Sequence, residues 1–161
     1  MAFEGGLVTM SRSDPRFDHE RLTVYQKSLQ AVAAGGEILD RIPHRMSAHD
    51  QLDRALTSIP LNIAEGNGKR TPKDRCRFFD NAKGSAFESA AALDVLVAKR
   101  KLTADEVDDA KMLLSEIVRM LIGLIRSNDS DRVIESTTDY NTTAQEPSDA
   151  PGSLSQSLSY S

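Results

Sequence analysis

The sequence predicts an all-α fold, an antiparallel up-down-up-down four-helix bundle over residues 17–127, with a flexible N-terminal arm (1–16) and a disordered acidic tail (128–161). Three observations carry this expectation. Apolar residues recur at threes and fours almost throughout positions 17–126, the spacing that lines one face of a helix. Strand-like alternation is absent, and aromatic residues make up only 5% of the chain, which removes the usual material of a sheet. Two stretches, Thr71-Pro72-Lys73-Asp74 and Thr103-Ala104-Asp105-Glu106, have the order of cap and acid that opens a helix. At 161 residues the chain suits one domain, and short connections between long helices favour antiparallel neighbours.

The first helix is expected from about Asp18 to Arg41, with Leu22, Tyr25, Leu29, Val32 and Ile38 or Leu39 inward and Pro43 just past its end. Gly35 and Gly36 inside it cost up to roughly 1 kcal/mol each relative to Ala. After Ala33 and Ala34, such a pair either permits close approach of another helix or marks a bend, and close approach is the reading taken. The second helix starts near Ser47 or His49 and ends at Gly66, placed there as a C-cap. Pro60 donates no hydrogen bond to the Leu56 carbonyl, so either a kink or a fresh turn capped by Ser58 is expected.

The third helix runs from Thr71 as N-cap to about Lys99, and its second half is apolar almost all round: Ala86, Phe87, Ala90 to Leu93, and Val95 to Val97. A helix apolar on every side is covered on every side, which a four-helix monomer does not provide, so a second subunit is expected against it. The fourth helix carries Val107, Ala110, Leu113 or Leu114, Ile117, Leu121, Leu124 and Ile125, and ends near Arg126. Beyond it, 13 of the last 35 residues are Ser or Thr with few large apolar groups, material from which no core forms.

The net charge of −4 is unevenly placed. Residues 17–126 carry 17 Lys and Arg against 16 Asp and Glu, whereas residues 127–161 carry Arg132 against six acids. A near-neutral body has no global field to steer nucleic acid, so any such binding rests on local patches. Cys76 is the only cysteine, which excludes an internal disulfide and a cysteine-based zinc cluster and fits a reducing compartment. The first ten residues lack the form of a secretory signal, and no run approaches about 18 uncharged apolar residues, so a soluble cytoplasmic protein without membrane contact is expected.

On one line of the second helix stand Gln51, Ala55, Ser58, Asn62 and Glu65; on the adjacent line stand Leu52, Leu56, Ile59 and Ile63. The run Ser58-Ile59-Pro60-Leu61-Asn62-Ile63-Ala64-Glu65-Gly66 is followed by Phe78-Phe79 and Ala82-Lys83-Gly84-Ser85-Ala86-Phe87-Glu88. Phe17-Asp18, Val24-Tyr25-Gln26-Lys27, Gln51-Leu52-Asp53-Arg54-Ala55 and Met120-Leu121 stand in the same order around it. In these motifs the chain resembles the bacterial four-helix-bundle proteins encoded in intervening sequences of 23S ribosomal RNA genes, which include the accessory variability protein of diversity-generating retroelements. That resemblance implies a four-helix subunit, commonly a ring-like homopentamer, without known enzymatic activity. In the retroelement branch it implies binding of RNA and a reverse transcriptase through basic surfaces. The near-neutral body and acidic tail depart from that branch.

The polar set Arg54, Ser58, Asn62 and Glu65, with Gly84, Ser85 and Glu88, admits either a binding site or a hydrogen-bonded seam between the second and third helices. We read it as a seam in which Asn62 serves the carbonyl that Pro60 frees and Gly84 permits close approach. No catalytic constellation is present. Carboxylate-bridged metal bundles use Glu-x-x-His pairs, and His19, His44 and His49 lie on none of those spacings, so no metal or cofactor is expected; these histidines are placed facing solvent. Cys76, between Arg75 and Arg77, lacks a base and is read as an incidental thiol. Lys69, Arg70, Lys73, Arg75 and Arg77 form the candidate RNA- or DNA-binding patch. Phe87, Ala91 and Val95 form the candidate interface for another subunit or for a protein partner. The function expected is therefore a non-enzymatic oligomeric scaffold or binding module, the alternative being a protein-partner adaptor.

Overall fold

The computed structural model describes residues 16–141, of which 130–141 are described as helical backbone alone. A 3-10 turn (Asp18–Arg21) leads into four helices: α1 (Thr23–Leu39), α2 (Ser47–Asn67), α3 (Pro72–Ala98) and α4 (Ala104–Asn141). Helices α1 and α3 each pack on both α2 and α4, so the four form a bundle around one core. Leu52, Ile59, Ile63, Phe79, Leu93, Leu96, Leu114, Ile117 and Leu121 fill its centre and are essentially inaccessible to solvent. The arm up to residue 15 and residues 142–161 of the expected tail lie outside the described residues.

Contacts between neighbours run in opposite senses along the two sequences. Ser85 meets Ser58 while Phe79 meets Gly66; Asp94 meets Lys111 while Cys76 meets Ile125; Lys27 meets Glu116 while Arg41 meets Glu106. One end of the bundle therefore gathers the start of α1, the α2–α3 turn and α4 from Ile125 onward. At the other end, Arg100 adopts a left-handed φ of 54° and Lys101 N–H donates to the Leu96 carbonyl, closing α3 as a Schellman-type cap.

The helix starts follow their punctuation. Thr71 Oγ1 accepts from Asp74 N at 3.1 Å, with Pro72 in the first turn, where a missing N–H costs nothing. Thr103 and Glu106 form a reciprocal box: Thr103 N donates to Glu106 Oε2 at 2.7 Å and Glu106 N to Thr103 Oγ1 at 3.3 Å. Glu20 closes the first turn by accepting from the backbone N–H of Phe17 and of Arg16.

Four expectations need correction. The buried line of α1 is Val24, Ser28, Ala31, Gly35 and Ile38, so Leu22, Tyr25, Leu29 and Val32 flank the core. Small residues take the line of closest approach because α2 lies against it. Helix α2 passes through Pro60 without interruption, so Ser58 caps no fresh turn. Gly66 is not a C-cap: α2 continues to Asn67, and a Cβ on Gly66 would stand 2.9 Å from Phe79 Cε1 and 3.0 Å from Phe78 Cβ. It is small to admit α3. Helix α4 continues beyond Arg126, with no Gly or Pro to stop it before Asn141, and Asn128 is 9% exposed.

Candidate functional site

The α2–α3 turn and the first two turns of α3 hold the five cations singled out above, and their surroundings divide them. Lys69 Nζ lies 3.0 Å from Glu65 Oε1 and 4.6 Å from the centroid of the Phe78 ring, so its charge is partly answered at home. Arg75 is half-buried; its Nη2 reaches Asn67 Oδ1 at 3.5 Å, while its Nε is buried without a protein hydrogen-bond partner. Arg70, Lys73 and Arg77 are exposed and make no ion pair or side-chain hydrogen bond among the described residues. Asp74, the nearest acid in sequence, is engaged by the Thr71 hydroxyl at 2.7 Å. Three solvated cations at the rim of a short turn suit a diffuse polyanion better than a single small anion.

Cys76 stands behind this rim, buried between α3 and α4, its Sγ 3.7 Å from the Ile125 carbonyl and 3.8 Å from Asp129 Oδ1. It packs the end of the bundle rather than facing the patch.

The polar set resolves into a shorter chain of bonds than its helical spacing suggests. Ser85 Oγ donates to Ser58 Oγ at 2.9 Å, joining α3 to α2. Asn62 Nδ2 donates to Ser58 Oγ at 2.9 Å and to the Ser58 carbonyl at 2.8 Å. Asn62 thus does not serve the Leu56 carbonyl that Pro60 leaves without its donor. The remaining members stand apart. Arg54 is exposed and bonds the Asp50 carbonyl, Glu65 pairs with Lys69, and Glu88 is exposed. Gly84 has open space where its Cβ would be, so no helix approach depends on it.

On the outer side of α3, Phe87 is 57% and Val95 42% exposed, and Ala91 between them is exposed as well. Spaced at four residues, the three make one apolar stripe. The all-round apolar character of α3 thus separates into a core face of Ala86, Ala92, Leu93 and Leu96 and this outer stripe.

Two polar residues the sequence reading passed over, Ser28 and Ser89, are buried, and so is His49, which it placed facing solvent. Ser28 donates to the Tyr25 carbonyl at 2.6 Å and Ser89 to the Ser85 carbonyl at 2.9 Å, each satisfying its hydroxyl within its own helix. His49, placed at the surface from sequence, is 7% exposed and meets the His44 ring edge-on at 4.4 Å. Its spacing of three from Leu52 was the available signal, since it continues the Leu52, Leu56, Ile59 and Ile63 line. Among the described residues no three His, Cys, Asp or Glu side chains converge to hold a metal ion. No helix there is long and apolar enough to cross a membrane.

Comparison with curated proteins finds no match. A solved structure of a protein of unknown function from the S23 ribosomal protein family of Bacteroides thetaiotaomicron superposes with a TM-score of 0.60 at 23% identity, covering 63% of this chain and 97% of that one. At that identity the likeness speaks for the bundle fold. The profile of the 23S rRNA-intervening sequence proteins matches residues 20–123, from the first turn to the last core layer of α4. That span covers well over half of the sequence, and the chain belongs to the 23S rRNA-intervening sequence protein family.

Proposed function

We propose that this protein is a non-enzymatic helical-bundle scaffold of the cytoplasm that assembles with copies of itself and binds RNA or DNA at its α2–α3 end. The observation that carries the binding site is the exposure of Arg70, Lys73 and Arg77 with no acidic partner among the described residues. Side chains released by their own fold remain available for phosphate, and self-assembly into a ring would repeat the patch and multiply a weak contact. A reverse transcriptase, as family resemblance suggests, is the kind of protein partner that would share such a nucleic acid.

Binding to a fluorescent single-stranded oligonucleotide across a salt series tests the site. Neutralising Arg70, Lys73 and Arg77 together should weaken binding and lower the slope of log K against log salt by about 0.7 per lost phosphate contact. An unchanged slope would remove the patch from consideration.

A second reading has its own observation. The stripe of Phe87, Ala91 and Val95 offers apolar surface that a protein can cover, either a second copy of this chain or a distinct partner. Self-association is the version we adopt.

A further inference from the structure

We infer that the acidic C-terminal tail docks on the cationic α2–α3 end and competes there with nucleic acid. This rests on the reading of that end as the nucleic-acid site and adds its regulation. Helix α4 passes this end of the bundle, since Cys76 of α3 lies beside Ile125 and Asp129. The tail accordingly leaves the body next to Arg75 and Arg77, the sequence neighbours of Cys76, and not at the opposite end near Lys99 to Lys101.

Charge complementarity selects the occupant. Residues 130–161 carry five acids against Arg132 alone: Asp131, Glu135 and Asp139 on the last turns of α4, and Glu146 and Asp149 beyond its end, where the chain can turn back. Across the gap stand Arg70, Lys73 and Arg77, without acidic partners among the described residues. Residues 17–126 carry 17 Lys and Arg against 16 Asp and Glu, so the surplus acid of the chain lies in the tail, and the cations nearest to its exit are those of the α2–α3 end. Reach is sufficient. From Asp129 to Asn141 the helix runs on for about 18 Å at 1.5 Å per residue. Residues 142–161 then span up to about 65 Å when extended, enough to return to the turn. A tether of this length keeps the acids at an effective concentration on the order of millimolar, against which a free polyanion has to compete.

Competition has a definite size. A tail that occupies the site about nine-tenths of the time lowers the apparent affinity for another polyanion about tenfold.

The docking is tested on the full chain with a carbodiimide, which joins a lysine amine to a carboxylate with loss of water. Peptide mapping should find Lys69 and Lys73 joined to tail acids, Glu146 and Asp149 foremost, and those links should vanish in about 1 M salt, where screening is complete within about 3 Å. Links confined to Lys99 and Lys101, or the absence of any tail link, would overturn the proposal. A full-length variant with Asp131→Asn, Glu135→Gln, Asp139→Asn, Glu146→Gln and Asp149→Asn then reports on competition, with about tenfold tighter oligonucleotide binding expected. Equal affinity of parent and variant overturns the competition. Tail links in the parent, with parent and variant both ignoring the oligonucleotide, support the docking and remove the nucleic-acid reading.

Discussion

Gly35 of α1 comes so close to Leu56 of α2 that a single methyl group on the glycine would overlap Leu56 Cδ1. Gly36, one residue on, faces open space. Adjacent glycines in one helix thus carry opposite obligations, one to packing and the other to nothing in the bundle.

Alanine substitution should separate them by sign. Gly35→Ala forces the buried Leu56 side chain out of its place and should cost about 1–3 kcal/mol, the usual range for overpacking. Gly36→Ala meets no neighbour and should gain up to about 1 kcal/mol from helix propensity. Denaturant midpoints at one fixed protein concentration read both, and a stabilised Gly35→Ala would refute the close approach.

The bond between Ser58 and Ser85 should appear as coupling. Ser58→Ala leaves the Ser85 hydroxyl without its acceptor, Ser85→Ala takes from Ser58 Oγ one of its two donors, and each should cost about 0.5–1.5 kcal/mol. The double change removes both groups and should cost less than the sum of the singles. Additive losses would mean that the two hydroxyls do not depend on each other.

The division among the five cations gives a ranking. Arg70→Gln, Lys73→Gln and Arg77→Gln should each weaken oligonucleotide binding more than Lys69→Gln, whose charge is shared with Glu65 and Phe78. Each of the first three should also reduce the salt slope by about 0.7 on a single strand. Equal losses at all four positions would point to a general charge effect instead of a site.

Acid should loosen the bundle at three identified carboxylates. The backbone N–H of Phe17 holds Glu20 below the usual carboxylate range, the backbone N–H of Thr103 does so for Glu106, and the Lys27 ammonium for Glu116. A carboxylate depressed in the folded state stabilises it above the unfolded value of about 4.3, and that contribution fades as pH falls through the folded value. The variant Glu20→Gln, Glu106→Gln, Glu116→Gln should therefore melt lower than the parent near neutrality, and the gap should close as pH falls below the unfolded carboxylate value. A gap that stays constant with pH would assign the loss to the altered caps alone.

Helix existence and starts were legible because they are local: Thr71 with Asp74 and Thr103 with Glu106 make within four residues the bonds their identities suggest. Residues chosen by a distant neighbour were not legible in this way. Gly66 stands where a C-cap glycine belongs, and only the approach of Phe78 and Phe79 from α3 gives it another task. Likewise Tyr25, Leu29 and Val32 are large side chains of α1, yet between Val24 and Ile38 the inner line is held by Ser28, Ala31 and Gly35 because α2 comes close there. For the polar set, helical spacing placed Ser58, Asn62 and Glu65 on one side but did not carry the bond lengths that leave Glu65 to Lys69 and join Ser58 to Ser85. The cationic cluster was visible as composition, while its division into engaged and free members depends on Asn67, Glu65 and Phe78 in three dimensions.

The stripe on α3 makes the assembly measurable. Phe87 at 57% exposure lies outside the single-chain core, so Phe87→Asp should leave helicity and the cooperative transition of one bundle intact. If the stripe is where copies meet, the same change buries a carboxylate in an apolar contact and should dissociate the assembly, because such a charge costs several kcal/mol unless it is paired. Val95→Asp, two turns away on the same stripe, should act in the same direction. Met112→Asp provides the control, since Met112 is as exposed as Phe87 but lies on α4. Light scattering after size exclusion at micromolar concentration should therefore give an oligomer for the parent and for Met112→Asp, and a lower mass for Phe87→Asp and Val95→Asp. A parent that runs as a monomer, or stripe variants that keep the parental mass, would show that the outer face of α3 is not where copies of this chain meet.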